Sequence, residues 1–412
     1  MEFVEHTLEN GLQIVAECNP RAHSLAIGFF VRAGSRDEND TISGVSHFLE
    51  HMVFKGTPRR TAEDVNREFD ELGAYYNAFT SEEFTVYYSA VLPEFQTDVL
   101  DLWADILRPS LRDEDFKTEK EVILEEINMY DDMPPFRADD ECRARFYGSH
   151  PLARSVLGSV ESIRALHVDA MREYFRRRYS PGNIKIVACG KVDFDRLVSE
   201  AEKRCGHWEP VETDRLLEAP DTACGEERLV RAAATQQYVV QWSQAPPAGS
   251  ELRYAAHLAA NMIGDSSGSR LFWEFVDSGR AESASMGYHE NEDTGVFGLY
   301  MNCDTDRLDE NLERCDALLE ALRRDGFTND EIERAKNKVA ARIVLGSERP
   351  QNRLFGVGLE WMLTGRYHSV ENDLEIVRSI TLDDVHRVLE EYPPDRYMRV
   401  VIGPPKPGDA SA

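Results

Sequence analysis

The stretch SHFLEHMVFKGT, residues 46 to 57, places two histidines and a glutamate inside an apolar run. On an α-helix, residues four positions apart lie on one face, so His47 and His51 point the same way with Glu50 beside them. Two imidazoles and a carboxylate are ligands that zinc prefers. The apolar neighbours indicate a buried helix, where imidazole and carboxylate groups without partners are costly. The stretch therefore predicts a metal site on a buried helix.

The order H-x-x-E-H also indicates what such a metal would do. It is the reverse of H-E-x-x-H and is typical of the inverted zincins. A catalytic zinc site uses three protein ligands and leaves the fourth position to a water molecule, whose pKa the metal lowers. Glu50 is then predicted to be the general base that takes a proton from this zinc-bound water, the nucleophile. A chance combination of polar residues is the alternative, but a metal accounts for all three together.

A third ligand has to come from another segment. The stretch TEKEVILEEINMYDD, residues 118 to 132, predicts a helix. Glu119 and Glu126, seven residues or about two turns apart, lie on one face of it. Acidic helix faces are commonly just solvated, so the residues alone do not select a ligand. Four glutamates are candidates by chemistry: Glu119, Glu121, Glu125 and Glu126.

The surrounding chain alternates between strand and helix patterns. Strands are predicted at 12–17, at 25–32 and on both sides of the TSEE turn within 74–92, and helices at 61–73, 94–108 and 113–130. In the first of these helices, Thr61 is suited to the N-cap and Gly73 to the end. These elements predict an α+β domain.

The second half of the chain repeats a pattern of the first. Residues 161–190 and 375–403 each give a short helix, a second helix, Tyr-x-Pro and an apolar strand that ends in glycine. The matched positions are Tyr179, Pro181 and Gly190 with Tyr392, Pro394 and Gly403. We therefore predict two homologous α+β domains, each a mainly antiparallel sheet with helices packed on it. The predicted domains are residues 1–208 and 228–412, joined by a polar linker at 209–227.

Composition excludes some classes of function. The formal net charge of −28 argues against nucleic acid, which needs clustered Lys and Arg. A solvated exterior explains this charge more simply than a basic ligand does. The seven cysteines are scattered and form no C-x-x-C pair, which favours reduced thiols in a cytoplasmic protein. With no signal-peptide pattern and no apolar run of about 18 residues, no membrane partner is expected.

Three stretches together carry a family resemblance. GVSHFLEHMVFKGT, YNAFTSEEFTVYYSAVL and EKEVILEEINMYDD, in this order, closely resemble the family of pitrilysin, insulin-degrading enzyme and mitochondrial processing peptidase. The length and the internal repeat look most like the short bacterial members and the processing-peptidase subunits. The resemblance is strong through residue 190 and weaker beyond it, at SSGSRLFWEF and EDTGVFGLYMNCD. It implies a processing-peptidase-like metallohydrolase fold and a zinc metalloendopeptidase that acts on extended peptides or presequences.

The resemblance also implies roles for single residues. Glu50 corresponds to the general base, and Glu119 to the carboxylate that steadies a ligand histidine. One zinc ion per chain would be held by His47, His51 and Glu126. The segment Asn77-Ala78-Phe79 matches the edge strand on which family members lay the peptide substrate, a form of β-augmentation. Ordinary core packing is the alternative for the Phe79 side chain.

The sequence departs from the family in its second half. Active members carry an Arg and, seven residues later, a Tyr that contact substrate, but Val276 and Ser283 occupy these positions here. Neither side chain can give an oxyanion a charged or phenolic hydrogen bond. Arg270, Arg280 and Tyr288 lie nearby but out of register, so we expect structural roles for them. The preferred interpretation is a heterodimer whose related partner subunit supplies the Arg and Tyr, and a homodimer is the alternative.

A non-enzymatic function competes with the peptidase. The chain could be a non-catalytic processing-peptidase-like scaffold or a peptide-binding subunit. Degenerate relatives generally lose the metal motif, whereas this chain keeps every member of it: His47, Glu50, His51 and Glu126. The intact motif favours the enzyme.

Overall fold

The computed structural model describes residues 1–406 and divides into two compact units. The first unit consists of Met1–Ile127, Arg154–Leu216 and Val344–Ser369, and the second of Asn128–Ala153, Leu217–Ile343 and the chain from Val370 onward. Each unit is an α+β domain built on one sheet. The predicted fold class is confirmed.

The strands are β1 (Glu2–Thr7), β2 (Gln13–Cys18), β3 (Leu25–Val31), β4 (Tyr75–Thr80), β5 (Thr85–Val91), β6 (Ile184–Gly190), β7 (Gly225–Val230), β8 (Gln237–Ala245), β9 (Ser283–Glu290), β10 (Gly295–Cys303) and β11 (Tyr397–Gly403). The α-helices are α1 (Val45–Val53), α2 (Ala62–Glu71), α3 (Gln96–Ile106), α4 (Asp113–Asp131), α5 (Pro134–Tyr147), α6 (Val160–Ala165), α7 (Val168–Arg178), α8 (Phe194–Cys205), α9 (Arg253–Gly264), α10 (Leu308–Asp325), α11 (Asn329–Ser347), α12 (Pro350–Thr364), α13 (Val370–Ser379) and α14 (Leu382–Glu391). The strands and helices predicted for the first domain lie within two residues of these bounds.

The sheet of the first unit has the order β1-β2-β6-β3-β5-β4. Strands β2 and β6 are parallel, and all other neighbours are antiparallel. The interior strands are apolar because both faces of the sheet are covered: β3 is buried along its whole length. Strand β4 is at the edge, and its residues alternate between more and less exposed. Because β4 pairs only with β5, the backbone N–H and C=O groups on its other side have no neighbouring strand in the sheet.

One face of this sheet packs on helices from the same half of the sequence. The large core there includes Phe29, Phe48, Phe69 and Trp103, all buried. The other face is covered by α12, whose Leu354 and Val357 pack with β-strand residues in a second core. The helix can approach closely because Gly358 lies against Phe30, where an added Cβ would come within 2.3 Å of the ring.

A buried ion pair fixes α12 to the sheet. The guanidinium of Arg353 binds both carboxylate oxygens of Glu17, at 2.7 to 3.0 Å, and Glu17 on β2 is only 1% exposed. The hydroxyl of Tyr367 donates a further hydrogen bond to Glu17 at 2.7 Å. Such a charge is tolerated in the interior because its oxygens are paired.

The second unit repeats this plan. Its sheet has the order β7-β11-β8-β10-β9, again with one parallel pair, β7 with β11. Helices α9, α10 and α14 contribute to the core on one face. On the other face α5 contributes Ala138, Cys142 and Phe146 to a core with strand residues of β8 and β11. Strand β9 is the edge that corresponds to β4.

The topology accounts for the repeat seen in the sequence. Strands β6 and β11, which end at Gly190 and Gly403, occupy equivalent places in the two sheets. Each unit also includes one helix from the other half of the chain: α12 in the first unit and α5 in the second. The contiguous division at 208 and 228 does not describe this exchange, and it remains a prediction. Within residues 1–406, none of the helices has the length and apolar character required to cross a bilayer.

Candidate metal centre

Helix α1 carries the H-x-x-E-H motif, and its first turn is held by a buried acid. The carboxylate of Glu38 accepts the backbone N–H groups of Gly44 and Ser46, each at 2.7 Å. These donors would otherwise lack partners at the start of the helix. The hydroxyl of Ser46 also lies 2.6 Å from that of Tyr174. The helix therefore begins at a fixed place in the core.

The apolar face of α1 fixes the direction of its polar side chains. Val45, Phe48, Leu49, Met52 and Val53 are buried in the core. The ring of Phe48 stacks on Phe116 of α4 at 4.6 Å between centroids. Because α4 packs on α1, its own inward side chains meet the motif.

Three donor atoms converge between these helices. The Nε2 atoms of His47 and His51 lie 3.7 and 3.6 Å from Oε2 of Glu126. One ligand atom from each residue lies within 4.8 Å of the others. Two donors of a tetrahedral zinc ion, each at about 2.0–2.1 Å from the metal, are about 3.3–3.4 Å apart. The observed separations of 3.6 and 3.7 Å between donor atoms are slightly longer than this, and a zinc ion can be accommodated between them.

The burial of these atoms supports the same conclusion. Oε2 of Glu126 is inaccessible to solvent and has no hydrogen-bond partner among residues 1–406. A buried carboxylate oxygen without a donor is costly, and 3.6 Å is too long for a hydrogen bond to an imidazole. A cation between the three donors would satisfy all of them. The residues present therefore fit a zinc ion.

Glu119 lies on the other side of the His51 ring. Its Oε1 is 2.9 Å from Nδ1 of His51, and its Oε2 is 2.5 Å from Nζ of Lys55. The carboxylate is 5% exposed. A carboxylate that binds Nδ1–H keeps the hydrogen there and leaves Nε2 free for a metal. Glu119 thus contacts one of the predicted ligand histidines, and its role in steadying that ring remains a prediction.

Glu50 faces the same space but does not join the three donors. Its Oε2 accepts a hydrogen bond of 2.6 Å from the hydroxyl of Thr80, the last residue of β4. Burial raises the pKa of Glu50, an effect that the Thr80 hydrogen bond opposes. A carboxylate with a raised pKa beside a metal position is suited to accept a proton.

The pKa values of the two histidines are shifted in opposite directions. Burial, and then the nearby His51, lower the pKa of His47 to about 3, so its imidazole is neutral with a lone pair to offer. For His51, burial acts to lower the pKa, but the hydrogen bond that its Nδ1–H donates to Glu119 and the charges of Glu126 and Glu50 raise it overall. Burial raises the pKa of Glu126.

The segment Asn77-Ala78-Phe79 lies on the edge strand β4, and its role as a substrate strand remains a prediction. Phe79 is 36% exposed, and its ring centroid lies 5.9 Å from that of Phe355 on α12. It is therefore neither a fully buried core residue nor an isolated surface residue. Ala78 faces the core on the opposite side of the strand.

The second unit holds the positions where the sequence departs from the family. Ser283 begins β9 and donates to the side chain of Asn302, and Val276 packs against the core. The three nearby residues that could act instead are engaged elsewhere. Arg270 pairs with Glu331, Arg280 with Glu310, and the Tyr288 hydroxyl donates to the carbonyl of Pro246.

Of the four glutamates proposed on α4, the structure brings Glu119 and Glu126 to the motif and leaves Glu121 and Glu125 exposed. Three contributors were not foreseen. Lys55 lies four residues after His51, just beyond the end of α1. Thr80 and Glu38 come from outside the two helices and give no local signal.

Comparison with known proteins identifies the family. Residues 13–160 match the model of Insulinase (Peptidase family M16), and residues 165–339 match that of the Peptidase M16 inactive domain. The chain belongs to peptidase family M16. The resemblance to pitrilysin and its relatives is thereby confirmed.

Relatives in this family are similar over nearly their whole length. An uncharacterized zinc protease of Bacillus subtilis (strain 168) is 32% identical over 97% of this chain and 98% of its own. One of Mycobacterium tuberculosis (strain H37Rv) is 33% identical over 97% and 92%. The crystal structure of a protease from Helicobacter pylori has the same fold, with a TM-score of 0.91 at 20% identity over 98% of this chain and all of that one. The relatives' names support a peptidase and zinc as the metal of the family.

Proposed function

We propose that this chain is a zinc-dependent metalloendopeptidase that hydrolyses extended peptides or presequences. The observation that carries the proposal is the meeting of His47, His51 and Glu126 at one point, with the carboxylate of Glu50 beside it. One zinc ion per chain would be held there, and it would supply Lewis-acid activation of a water molecule.

The protein's own side chains then have distinct tasks. The neutral imidazole of His47 offers its Nε2 lone pair, and Glu119 directs the Nε2 of His51 to the same point. Glu50 takes a proton from the attacking water and can deliver it to the leaving amine. No acyl-enzyme is needed, because no side-chain nucleophile takes part.

The proposed substrate site is the edge of β4. A peptide in extended conformation can pair with its free backbone groups, while alternate side chains contact each face. Asn77 and Phe79 would lie on one face of such a pair, and Ala78 and Thr80 on the other. Because Thr80 touches Glu50, a peptide on this edge would pass the metal position.

The proposed active form is a dimer, preferably a heterodimer. Val276 and Ser283 offer no cationic or phenolic donor, and Arg270, Arg280 and Tyr288 are already engaged within the second unit. A related partner subunit would supply the missing Arg and Tyr. A homodimer that uses other donors is the alternative, and cleavage by the purified chain alone would support it.

The central test replaces Glu50. A Glu50→Gln protein should retain stoichiometric zinc and lose peptide cleavage, measured by mass spectrometry on a peptide library with and without candidate partner chains. Glu63→Gln, at an exposed position on α2, is the matched control and should cleave as the parent does. If Glu50→Gln cleaves as fast as the parent, the mechanism is wrong.

The second candidate is a non-catalytic scaffold or peptide-binding subunit. The absence of the Arg and Tyr at 276 and 283 favours it, as does the description of the family model that matches residues 165–339. Metal analysis of the native protein separates the two, because a scaffold has no need of stoichiometric zinc.

We keep the cytoplasm as the proposed location, which the seven free cysteines support.

A further inference from the structure

The hydrogen bond between Thr80 and Glu50 joins two elements that are far apart in sequence. The hydroxyl of Thr80, at the end of β4, lies 2.6 Å from Oε2 of Glu50 in the middle of α1. This distance is in the short range typical of a hydroxyl that donates to an ionised carboxylate. Nothing in the H-x-x-E-H motif requires such a contact.

The direction of this hydrogen bond is set by the neighbouring residue. Thr85 pairs with Thr80 in the antiparallel register of β4 and β5. Its hydroxyl is buried and donates to the carbonyl of Ala33 at 2.8 Å, so its hydrogen is already used. The hydroxyls of Thr80 and Thr85 are 3.4 Å apart. A threonine hydroxyl has one hydrogen, and that of Thr80 is therefore available to Glu50.

The turn that follows Thr80 is fixed to the chain that leads into α1. The backbone N–H groups of Ser35 and Arg36 donate to the carbonyls of Ser81 and Glu82. This contact depends on Gly34, where an added Cβ would lie 2.4 Å from the carbonyl oxygen of Ser81. The side chain of Arg36 then pairs with Glu83 at 2.8 Å, both of them buried. Thr80 is thus held at a constant distance from α1.

We propose that Thr80 is a positioning residue for Glu50. By binding Oε2 it fixes the rotamer of the carboxylate and leaves Oε1 to accept the proton of the attacking water. The inference rests on the proposed function, since it assigns Thr80 to the same reaction. Because Thr80 also belongs to β4, the proposed substrate strand, it would connect the peptide-binding strand with Glu50, the general base.

A purely structural role for Thr80 predicts something different. If the hydroxyl only stabilised the end of β4, its loss would lower the melting temperature or the affinity for substrate. A positioning role instead affects the chemical step and leaves substrate and zinc binding unchanged.

The experiment compares three variants. Thr80→Val keeps the shape and removes the donor, whereas Thr80→Ser keeps the hydroxyl. Thr97→Val on α3 is the matched control, because its hydroxyl has no hydrogen-bond partner among residues 1–406. For each protein, kcat and KM for one cleaved peptide, the zinc dissociation constant and the melting temperature are measured. A crystal structure of Thr80→Val reports the rotamer of Glu50 independently of activity.

For Thr80→Val we expect kcat to fall roughly ten- to a hundredfold, with KM and the zinc dissociation constant within twofold of the parent. Thr80→Ser should recover most of the loss, and Thr97→Val should behave as the parent. In the crystal structure of Thr80→Val the Glu50 carboxylate should leave its present position. Unchanged kcat in Thr80→Val, or equal losses in the Val and Ser variants, would overturn the proposal.

The failure of the proposed function has a different signature. If the parent, with and without partner chains, cleaves no peptide, the peptidase assignment fails while the crystal structure still tests Thr80. A Glu50 rotamer that is unchanged in Thr80→Val would then overturn the positioning role by itself.

Discussion

His51 and Glu119 are joined by a contact of 2.9 Å between Nδ1 and Oε1, on the side of the ring opposite to the Nε2 that faces Glu126. Glu119 therefore fixes the orientation of the imidazole ring through the nitrogen that does not face the metal position. We predict that Glu119→Ala lowers zinc affinity about 10- to 100-fold, because the imidazole loses both its tautomer preference and its orientation. Zinc dissociation constants from chelator competition measure the effect. Glu121→Ala, an exposed change on the same helix, should leave the constant unaltered.

Lys55 contacts the other oxygen of the Glu119 carboxylate. Its ammonium lies 2.5 Å from Oε2 of Glu119. Although burial acts to raise the pKa of Glu119, the hydrogen bonds with His51 and Lys55 lower it overall. Lys55→Met should therefore weaken zinc binding in the same assay, but less than Glu119→Ala, because the direct contact with His51 remains. An effect equal to that of Glu119→Ala would mean that the cation, rather than the carboxylate, controls the ring.

Glu126 is predicted to be indispensable for the metal. Glu126→Gln replaces a charged oxygen donor with a neutral amide, so bound zinc should be lost on dialysis, as atomic absorption would record. In the parent, a chelator should lower the melting temperature, since zinc bound only to the folded state stabilises it. Glu126→Gln should show no such shift. Glu125→Gln, exposed on the same helix, should retain the zinc and the shift.

The sequence was informative where the relationship between residues is local. The spacing of His47, Glu50 and His51 depends only on helix geometry, so one short stretch predicted that they share a face. Glu119 and Glu126 could not be told apart from sequence alone, since both lie on one face of α4. The structure separates them because one reaches Nδ1 of His51 and the other reaches Nε2.

Longer-range relationships were less accessible. The contact of Thr80 with Glu50 depends on how the end of a strand packs on a helix, and no spacing pattern encodes it. The places of helices α5 and α12 also depend on contacts between segments that are far apart in the sequence. No pattern in the sequence indicated that α12 covers the sheet of the first unit and α5 that of the second.

The acid that holds the start of α1 predicts a pH dependence of stability. Burial raises the pKa of Glu38 from its ordinary 4.5 to about 8, although hydrogen bonds from Ser46 and Gly44 act against this. Between about pH 4.5 and pH 8 the folded chain then binds one more proton here than the unfolded chain. The free energy of unfolding contributed by this group is complete below pH 4.5 and is lost as the pH rises toward 8.

Glu38→Gln removes this titration, so its melting temperature should fall less than that of the parent between pH 5 and pH 8. Both proteins are measured with a chelator present, which removes the pH dependence of zinc binding. The exposed Glu94→Gln should follow the parent. Parallel curves for the parent and Glu38→Gln would show that this carboxyl titrates in the folded protein as it does in the unfolded one.

The pair of Arg353 and Glu17 predicts the strongest effect on stability. Arg353→Ala would leave the carboxylate of Glu17 buried without its cation, which typically costs about 3–5 kcal/mol. Urea denaturation of the metal-free protein should give a lower midpoint than the parent's for both Arg353→Ala and the double variant Glu17→Gln, Arg353→Met. Of these two proteins, the double variant should be the more stable. The reason is that it removes the unpaired charge while keeping apolar volume under α12. Arg366→Ala, at an exposed position without an ion-pair partner in residues 1–406, should unfold as the parent does. If Arg353→Ala also unfolded as the parent does, the ion pair would contribute nothing to holding α12 on the sheet.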